Sequence, residues 1–150
     1  MKRLLFGFWL VAAGTACSDD LAGPGALSGH YAYAASDSSG NALLVGQLDL
    51  TFHVDSTITG SWSIDWAQEA DQNTAVGPQT GEGALTGVLV ADGVVLDLNP
   101  NIADDNVYLS GTFVLESVTD GFAGQWHHST LTGPVAAGFF TAAKHAPLTH

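Results

Sequence analysis

Eight runs lie between residues 27 and 143, and in most of them apolar and polar positions alternate with a period of two, which sends successive side chains to opposite faces of a strand. Leu48, Leu50, Phe52 and Val54 fall on one face, while Gln47, Asp49, Thr51, His53 and Asp55 fall on the other. Leu109, Gly111, Phe113 and Leu115 repeat the scheme. Eight strands are predicted, at about residues 27–35, 43–54, 57–66, 82–91, 94–98, 107–116, 121–128 and 135–143, and no window of comparable length shows a helical stripe.

Within these runs a five-residue phrase recurs: an apolar residue, a small one, Gly, any residue, and a large apolar one. It reads Leu27-Ser-Gly29-His-Tyr31, Ile58-Thr-Gly60-Ser-Trp62, Leu85-Thr-Gly87-Val-Leu89, Leu109-Ser-Gly111-Thr-Phe113 and Phe122-Ala-Gly124-Gln-Trp126, with looser copies at Leu44–Leu48 and Ala136–Phe140. Each copy places its apolar ends and its Gly on the same side. Gly in a strand marks a sharp bend or a place where a bulky neighbour needs room, so the repetition predicts a closed, tightly curved sheet.

The connections alternate in length. Asp55-Ser56, Asp92-Gly93 and Thr119-Asp120 are predicted as tight hairpin turns. Segments 36–42, 67–81, 99–106 and 129–134 are predicted as longer polar loops. An up-and-down meander puts all the short turns at one end and all the loops at the other. Eight antiparallel strands can close on themselves and leave no exposed edge. The expected fold is therefore all-β, a single eight-stranded antiparallel up-and-down β-barrel, with a β-sandwich as the alternative. Hydrogen-bonded pairing of the first strand with the last decides between them.

The beginning of the chain has a different pattern. Lys2 and Arg3 precede an apolar run over residues 4–13, then small residues and Cys17. The run is too short for a bilayer span, which needs about 20 residues, and it fits a secretory signal. Gly14-Thr-Ala-Cys17 resembles the lipobox of bacterial lipoproteins, with Gly14 where a Leu is usual. That resemblance implies lipidation of Cys17, a membrane anchor and residence in the cell envelope. Ser18 after the cysteine implies the outer membrane, periplasmic or surface-facing. An ordinary signal peptide cut near Ala16 is the alternative. The expected divisions are a signal peptide over 1–16, a lipidated cysteine and tether over 17–26, the barrel over 27–144 and a tail over 145–150.

Composition narrows the partners. Cys17 is the only cysteine, so a disulfide within the chain is excluded. Once the leader is removed, Lys144 is the one strong base left against 15 acidic residues. Contacts to a phosphate backbone need clustered Lys and Arg, so nucleic acid is not an expected partner, and neither is peripheral attachment to anionic lipid heads.

A barrel of this size is either filled by its side chains or wide enough for one small ligand. Near the loop-rimmed mouth the predicted inward positions include Tyr33, Trp66, Trp126 and His128. These four are the candidate ligand-binding residues, aromatic walls with one polar handle, suited to a small, largely apolar molecule. The opposing expectation is a solid barrel whose Trp and Phe side chains leave no cavity. His127-His128 is not a metal pair, because strand neighbours point to opposite faces, and His53 is predicted outward. Asp104-Asp105-Asn106 lacks the alternation of a dedicated calcium loop and is read as a solvated turn. No nucleophile stands beside an oriented base, and no spacing singles out Glu69, Asp71 or Glu82 as a catalytic pair, so no catalytic residue and no cofactor is expected.

Three fragments resemble the avidin and streptavidin group of small-ligand barrels. Ile58-Thr-Gly-Ser-Trp62 is similar to that group's opening Gly-x-Trp, Gly83-Ala-Leu-Thr-Gly87 to its second strand, and Trp126-His-His-Ser-Thr-Leu131-Thr-Gly133 to its late Trp-x-Ser-Thr-Leu-x-Gly with one residue inserted. Here two strands precede the Gly-x-Trp, Ser63-Ile-Asp-Trp66 replaces the group's Asn-x-x-Gly-Ser, and its late Asp is absent at Gly133-Pro-Val-Ala. The resemblance implies a calycin-like barrel and a ligand-facing Trp126, and it does not extend to biotin. The leading expectation is a lipid-anchored envelope protein that binds a small ligand at its mouth. The alternative is a structural or protein-interaction lipoprotein with a solid barrel, whose loop 67–81 contacts an envelope protein.

Overall fold

A computed structural model describes residues 24–116 and 119–145. The leader, Cys17, residues 18–23 of the tether, and positions 146–150 lie outside them. A one-turn helix α1 (Pro24–Leu27) leads into eight strands: β1 (Gly29–Asp37), β2 (Ala42–Phe52), β3 (Thr57–Trp66), β4 (Gly81–Val90), β5 (Gly93–Asp97), β6 (Asp105–Glu116), β7 (Thr119–Thr130) and β8 (Gly133–Lys144). Each pairs antiparallel with its neighbour in sequence, and β1 pairs with β8 from Tyr31↔Lys144 to Asp37↔Gly138. That last pairing closes the sheet, so the fold is an up-and-down barrel and not a sandwich.

Closure follows from what the recurring phrase does in three dimensions. In β3 the inward positions Ile58, Trp62 and Ile64 are buried, and Gly60 lies between them opposite Leu50 of β2. A Cβ on Gly60 would stand 1.9 Å from the Asp49 carbonyl oxygen. A hydrogen there lets one strand coil tightly across the next, the curvature a small barrel needs. The interior fills with Tyr31, Phe122, Phe140, Trp126 and Trp62 among branched aliphatics from β2 to β6. Tyr31 and Phe122 meet at 5.2 Å between ring centroids, and Phe122 and Phe140 at 5.9 Å edge to face. Such pairs each contribute about 0.5–1.5 kcal/mol beyond their buried area.

The two ends differ as the alternation of loop lengths predicts, with corrections. Both ends of the described chain reach the tight-turn end. Leu27 packs there on the core, the Tyr31 hydroxyl donates to the Leu27 carbonyl, and the Phe52 amide donates to Ser28 Oγ at 2.9 Å. The Lys144 ammonium donates to the Ala26 carbonyl. The patternless tether thus ends in a helical turn that stoppers the barrel, and the first strand begins at Gly29, not Leu27.

Val54, predicted inward, is 95% exposed, because β2 stops at Phe52 and the chain turns through His53–Ser56, where Ser56 adopts a φ of 67°. Thr119-Asp120, predicted as a turn, opens β7, and positions 117–118 between the strands lie outside the described residues. Segment 129–134 is not a long loop. β7 and β8 pair as far as Thr130↔Gly133, leaving Leu131 and Thr132 as the turn. β6 likewise begins inside the predicted loop 99–106, at Asp105.

Candidate functional site

At the end away from α1, the inward residues of the strand tips meet the long segment 67–80. Tyr33 comes from β1, His128 and Trp126 from consecutive inward positions of β7, and Trp66 from the last position of β3. Tyr33, Trp126 and His128 are 2%, 1% and 7% exposed, whereas Trp66 is half-buried against the rim of the core. Tyr33 stacks on Phe140 at 5.9 Å, and Trp126 donates from Nε1 to the Ser36 carbonyl at 2.8 Å, across Gly138. A Cβ on Gly138 would fall 2.0 Å from that same carbonyl oxygen and 2.5 Å from the indole nitrogen, so the absence of a side chain makes the contact.

The mouth is occupied by the protein itself. Segment 67–80 turns inward and lays residues 76–79 across the opening, with Val76 4% exposed and Gln79 fully buried. Gly77, at φ +66°, rests on the His128 imidazole, where a Cβ would stand 2.5 Å from Cδ2. Gln79 accepts from the Tyr33 hydroxyl at 3.2 Å through Oε1 and donates from Nε2 to the Val76 carbonyl at 2.5 Å. Asn99 Nδ2 donates to the Pro78 carbonyl at 3.1 Å. This plug bridges Tyr33 and His128, two of the candidate residues, while Trp126 lies one inward step deeper and Trp66 stands at the side.

The polar groups of the mouth form a hydrogen-bonding array. Burial pushes the Tyr33 phenol well above its usual range, so it stays a neutral donor. His128 Nε2 meets Asp105 Oδ1 at 2.5 Å, its ring buried and the carboxylate half-exposed. His128 Nδ1 and Asn99 Oδ1 are buried with no hydrogen-bond partner, an arrangement that costs on the order of 1–3 kcal/mol per group. At the rim Asp37 gathers the Asn41 side-chain and backbone NH groups and the Ser39 amide, and these bonds hold its carboxyl below the usual range. Tyr, Gln, Asn and a His–Asp pair can grip a compact polar group from several directions.

Among the other sequence candidates, His127 and His53 point outward, the latter against Thr59 Oγ1 at 2.8 Å. Asp105 and Asn106 belong to β6, where Asp105 pairs with His128 and Asn106 Nδ2 donates to the Tyr108 hydroxyl. Sequence reasoning missed Val76, Gly77, Gln79, Asn99 and Asp105. One signal was present, an apolar Val followed by Gly-Pro inside an otherwise polar loop. No protein-family model matches the sequence, and no curated protein sequence matches it. Solved structures do share the fold. The rhizavidin–biotin complex superposes with a TM-score of 0.55 at 14% identity, over 82% of this chain and 97% of that one. Apo shwanavidin gives 0.51 at 14% identity over 79% and 100%, and a shwanavidin variant in complex with biotin gives 0.51 over 79% and 97%. The eight-stranded closed sheet described above is therefore an avidin-like barrel.

Proposed function

We propose that this chain is a lipid-anchored bacterial envelope protein whose barrel binds a small ligand in the mouth that residues 76–79 occupy, and that it binds rather than catalyses. The observation that carries the proposal is chemical: the mouth is closed by a buried carboxamide on a Tyr–Asn–His array, two of whose polar atoms lack a partner. A solid barrel is more cheaply closed with apolar side chains, since each buried polar group must be matched. A ligand fitting this mouth has a compact uncharged polar head for Tyr33 and His128 and an apolar body for Trp126 and Trp66. Biotin, held by the structural neighbours, has such a form and is the first probe.

The Gly77→Val variant supplies the test. A branched side chain at that φ and on that ring drives the plug out of the mouth, at a cost of roughly 2–3 kcal/mol. Calorimetric titration with biotin and with small cyclic amides is expected to show binding at least tenfold tighter in the variant than in the parent. If neither protein gives heat with any of these probes while the variant keeps its fold, the ligand proposal fails.

The burial of Val76 and Gln79 also favours a second proposal, a solid barrel whose segment 67–81 contacts an envelope protein. In that case deleting the segment abolishes partner pull-down, and substituting Trp66 and Trp126 does not. The anchor is tested separately: Cys17→Ser should move the protein out of the membrane fraction. Emergence of the described chain at the stoppered end fits a tether that leaves there and turns the mouth away from the membrane, with Ser18 directing the protein to the outer membrane.

A further inference from the structure

Far from the mouth, closure of the sheet brings two histidines together. Pairing of β1 with β2 sets His30 directly beside Asp49. Pairing of β1 with β8 reaches Tyr31↔Lys144 and goes one step further, where the His145 amide donates to the His30 carbonyl at 2.9 Å. Lys144, opposite buried Tyr31, sends its ammonium to the Ala26 carbonyl of the stopper, so alternation turns His145 outward with His30 and Asp49. Three adjacent strands thus carry His145, His30 and Asp49 in one outward row at the stoppered end, all three exposed. His30 Nδ1 meets Asp49 Oδ1. A carboxylate can only accept, so Nδ1 carries the proton of the neutral imidazole and Nε2 keeps a lone pair facing solvent. The remaining described histidines do not share a row: His53 bonds to Thr59, and His127 and His128 take opposite faces of β7.

We propose that His30 and His145 bind a divalent transition-metal ion of the kind imidazole prefers, zinc or copper, and that the ion staples β8 to β1 where the two ends of the described chain meet. Neighbouring strands lie about 4.8 Å apart with side chains roughly perpendicular to the sheet, so two adjacent imidazoles that lean together bring both nitrogens to the ~2.0–2.1 Å a metal bond requires. Asp49 acts through His30 as a positioning residue: its hold on Nδ1 fixes the tautomer and aims Nε2 at the ion, as a carboxylate behind a metal-bound histidine does. Among the described residues no group of three or more His, Cys, Asp or Glu side chains is placed to hold a metal ion, so the site rests on two imidazoles, with water completing the shell. Such an open site releases its ion more readily than a closed cage and makes a reversible clamp. The surrounding field favours a cation, since the chain carries a formal net charge of −12 and Lys144, the one strong base among the described residues, turns to the other face. Only the closed sheet holds the two imidazoles side by side, so binding stabilises the folded state by linkage.

The full-length chain carrying Cys17→Ser, which removes the competing thiol, is unfolded with denaturant in metal-free buffer and again with Zn²⁺, Cu²⁺ or Mg²⁺. Saturating Zn²⁺ or Cu²⁺ is expected to lower the unfolding constant by ~tenfold or more, and Mg²⁺, which takes oxygen ligands, to leave it unchanged. His30→Ala and His145→Ala are each expected to abolish the Zn²⁺ response, whereas His127→Ala keeps it. The response is read within each protein, so a change in metal-free stability cancels. Electron paramagnetic resonance of bound Cu²⁺ should show two imidazole nitrogens in the parent and one in either single variant. Asp49→Ala is expected to weaken Zn²⁺ binding by ~tenfold or more, and Asp49→Asn, which keeps an acceptor for Nδ1–H, by less. No response of the parent to Zn²⁺ and Cu²⁺, an equal response to Mg²⁺, a Zn²⁺ response that survives in His30→Ala or His145→Ala, or a single coordinated nitrogen in the parent overturns the proposal. Zn²⁺ binding undiminished in Asp49→Ala overturns the positioning role. None of these readouts depends on a ligand in the mouth.

Discussion

Tyr33 shows how one side chain is set by both its strand and a distant loop. Alternation in β1 turns it inward, and burial then makes the phenolate form costly, raising its pKa. The sign of the effect on stability follows from linkage. A group that binds its proton more tightly in the fold contributes stability that is whole below about pH 10, where an unfolded tyrosine titrates, and that is lost as pH rises toward the folded value. Denaturant midpoints measured from neutral to strongly alkaline pH should therefore fall in the parent. In Tyr33→Phe the fall should be shallower, because the replacement cannot ionise, although Gln79 Oε1 loses a donor and the neutral-pH midpoint drops. An alkaline slope identical in the two proteins would mean that Tyr33 does not titrate with unfolding.

At the scale of the strand, the glycine phrase decides how tightly the sheet can curl. β3 illustrates the division of labour: Ile58, Trp62 and Ile64 supply buried apolar surface, Trp62 anchors itself by donating to the Leu98 carbonyl at 2.7 Å, and Gly60 lets β2 pass close by. Gly60→Ala puts a carbon where the Asp49 carbonyl oxygen stands, and neither backbone can yield without disturbing the Leu50↔Gly60 register. The expected loss is about 1–3 kcal/mol, the range for overpacking, read as a drop in denaturant midpoint. Ala84→Gly, at an exposed outward position of β4, serves as a control that changes propensity without touching the coil, and it should cost less. A smaller loss at Gly60 than at Ala84 would show that close approach is not what this Gly provides.

For the whole molecule the decisive contact is β1 on β8, which joins residues from opposite ends of the described chain. Loop-closure entropy must be spent before this pairing returns anything, so folding is expected to be slow for the chain's size, in the millisecond-to-second range. Once shut, the sheet has no edge strand. Amides of β1 and β8 should then exchange with solvent as slowly as those of β6 and β7, whereas an open sheet would leave its terminal strands the least protected. Much of this architecture was legible in the sequence. Period-two alternation set the strands, the glycine phrase implied curvature, and an even strand number allowed the first and last to lie antiparallel. The inward direction of Tyr33, Trp126 and His128 was likewise fixed by parity, because a strand offers a side chain only two directions. Boundaries were less legible. Thr119, Asp120, Ser129 and Thr130 look like turn residues, yet partners across the β6–β7–β8 ribbon hold them in strands. Tertiary structure alone decided the site. That Gln79 reaches Tyr33, that Gly77 lies on His128 and that Pro78 meets Asn99 depend on a loop folding back over the barrel, a path that no local periodicity encodes. Alternation specifies which face a residue takes within its own strand, whereas the filling of the mouth depends on contacts between segments far apart in the chain.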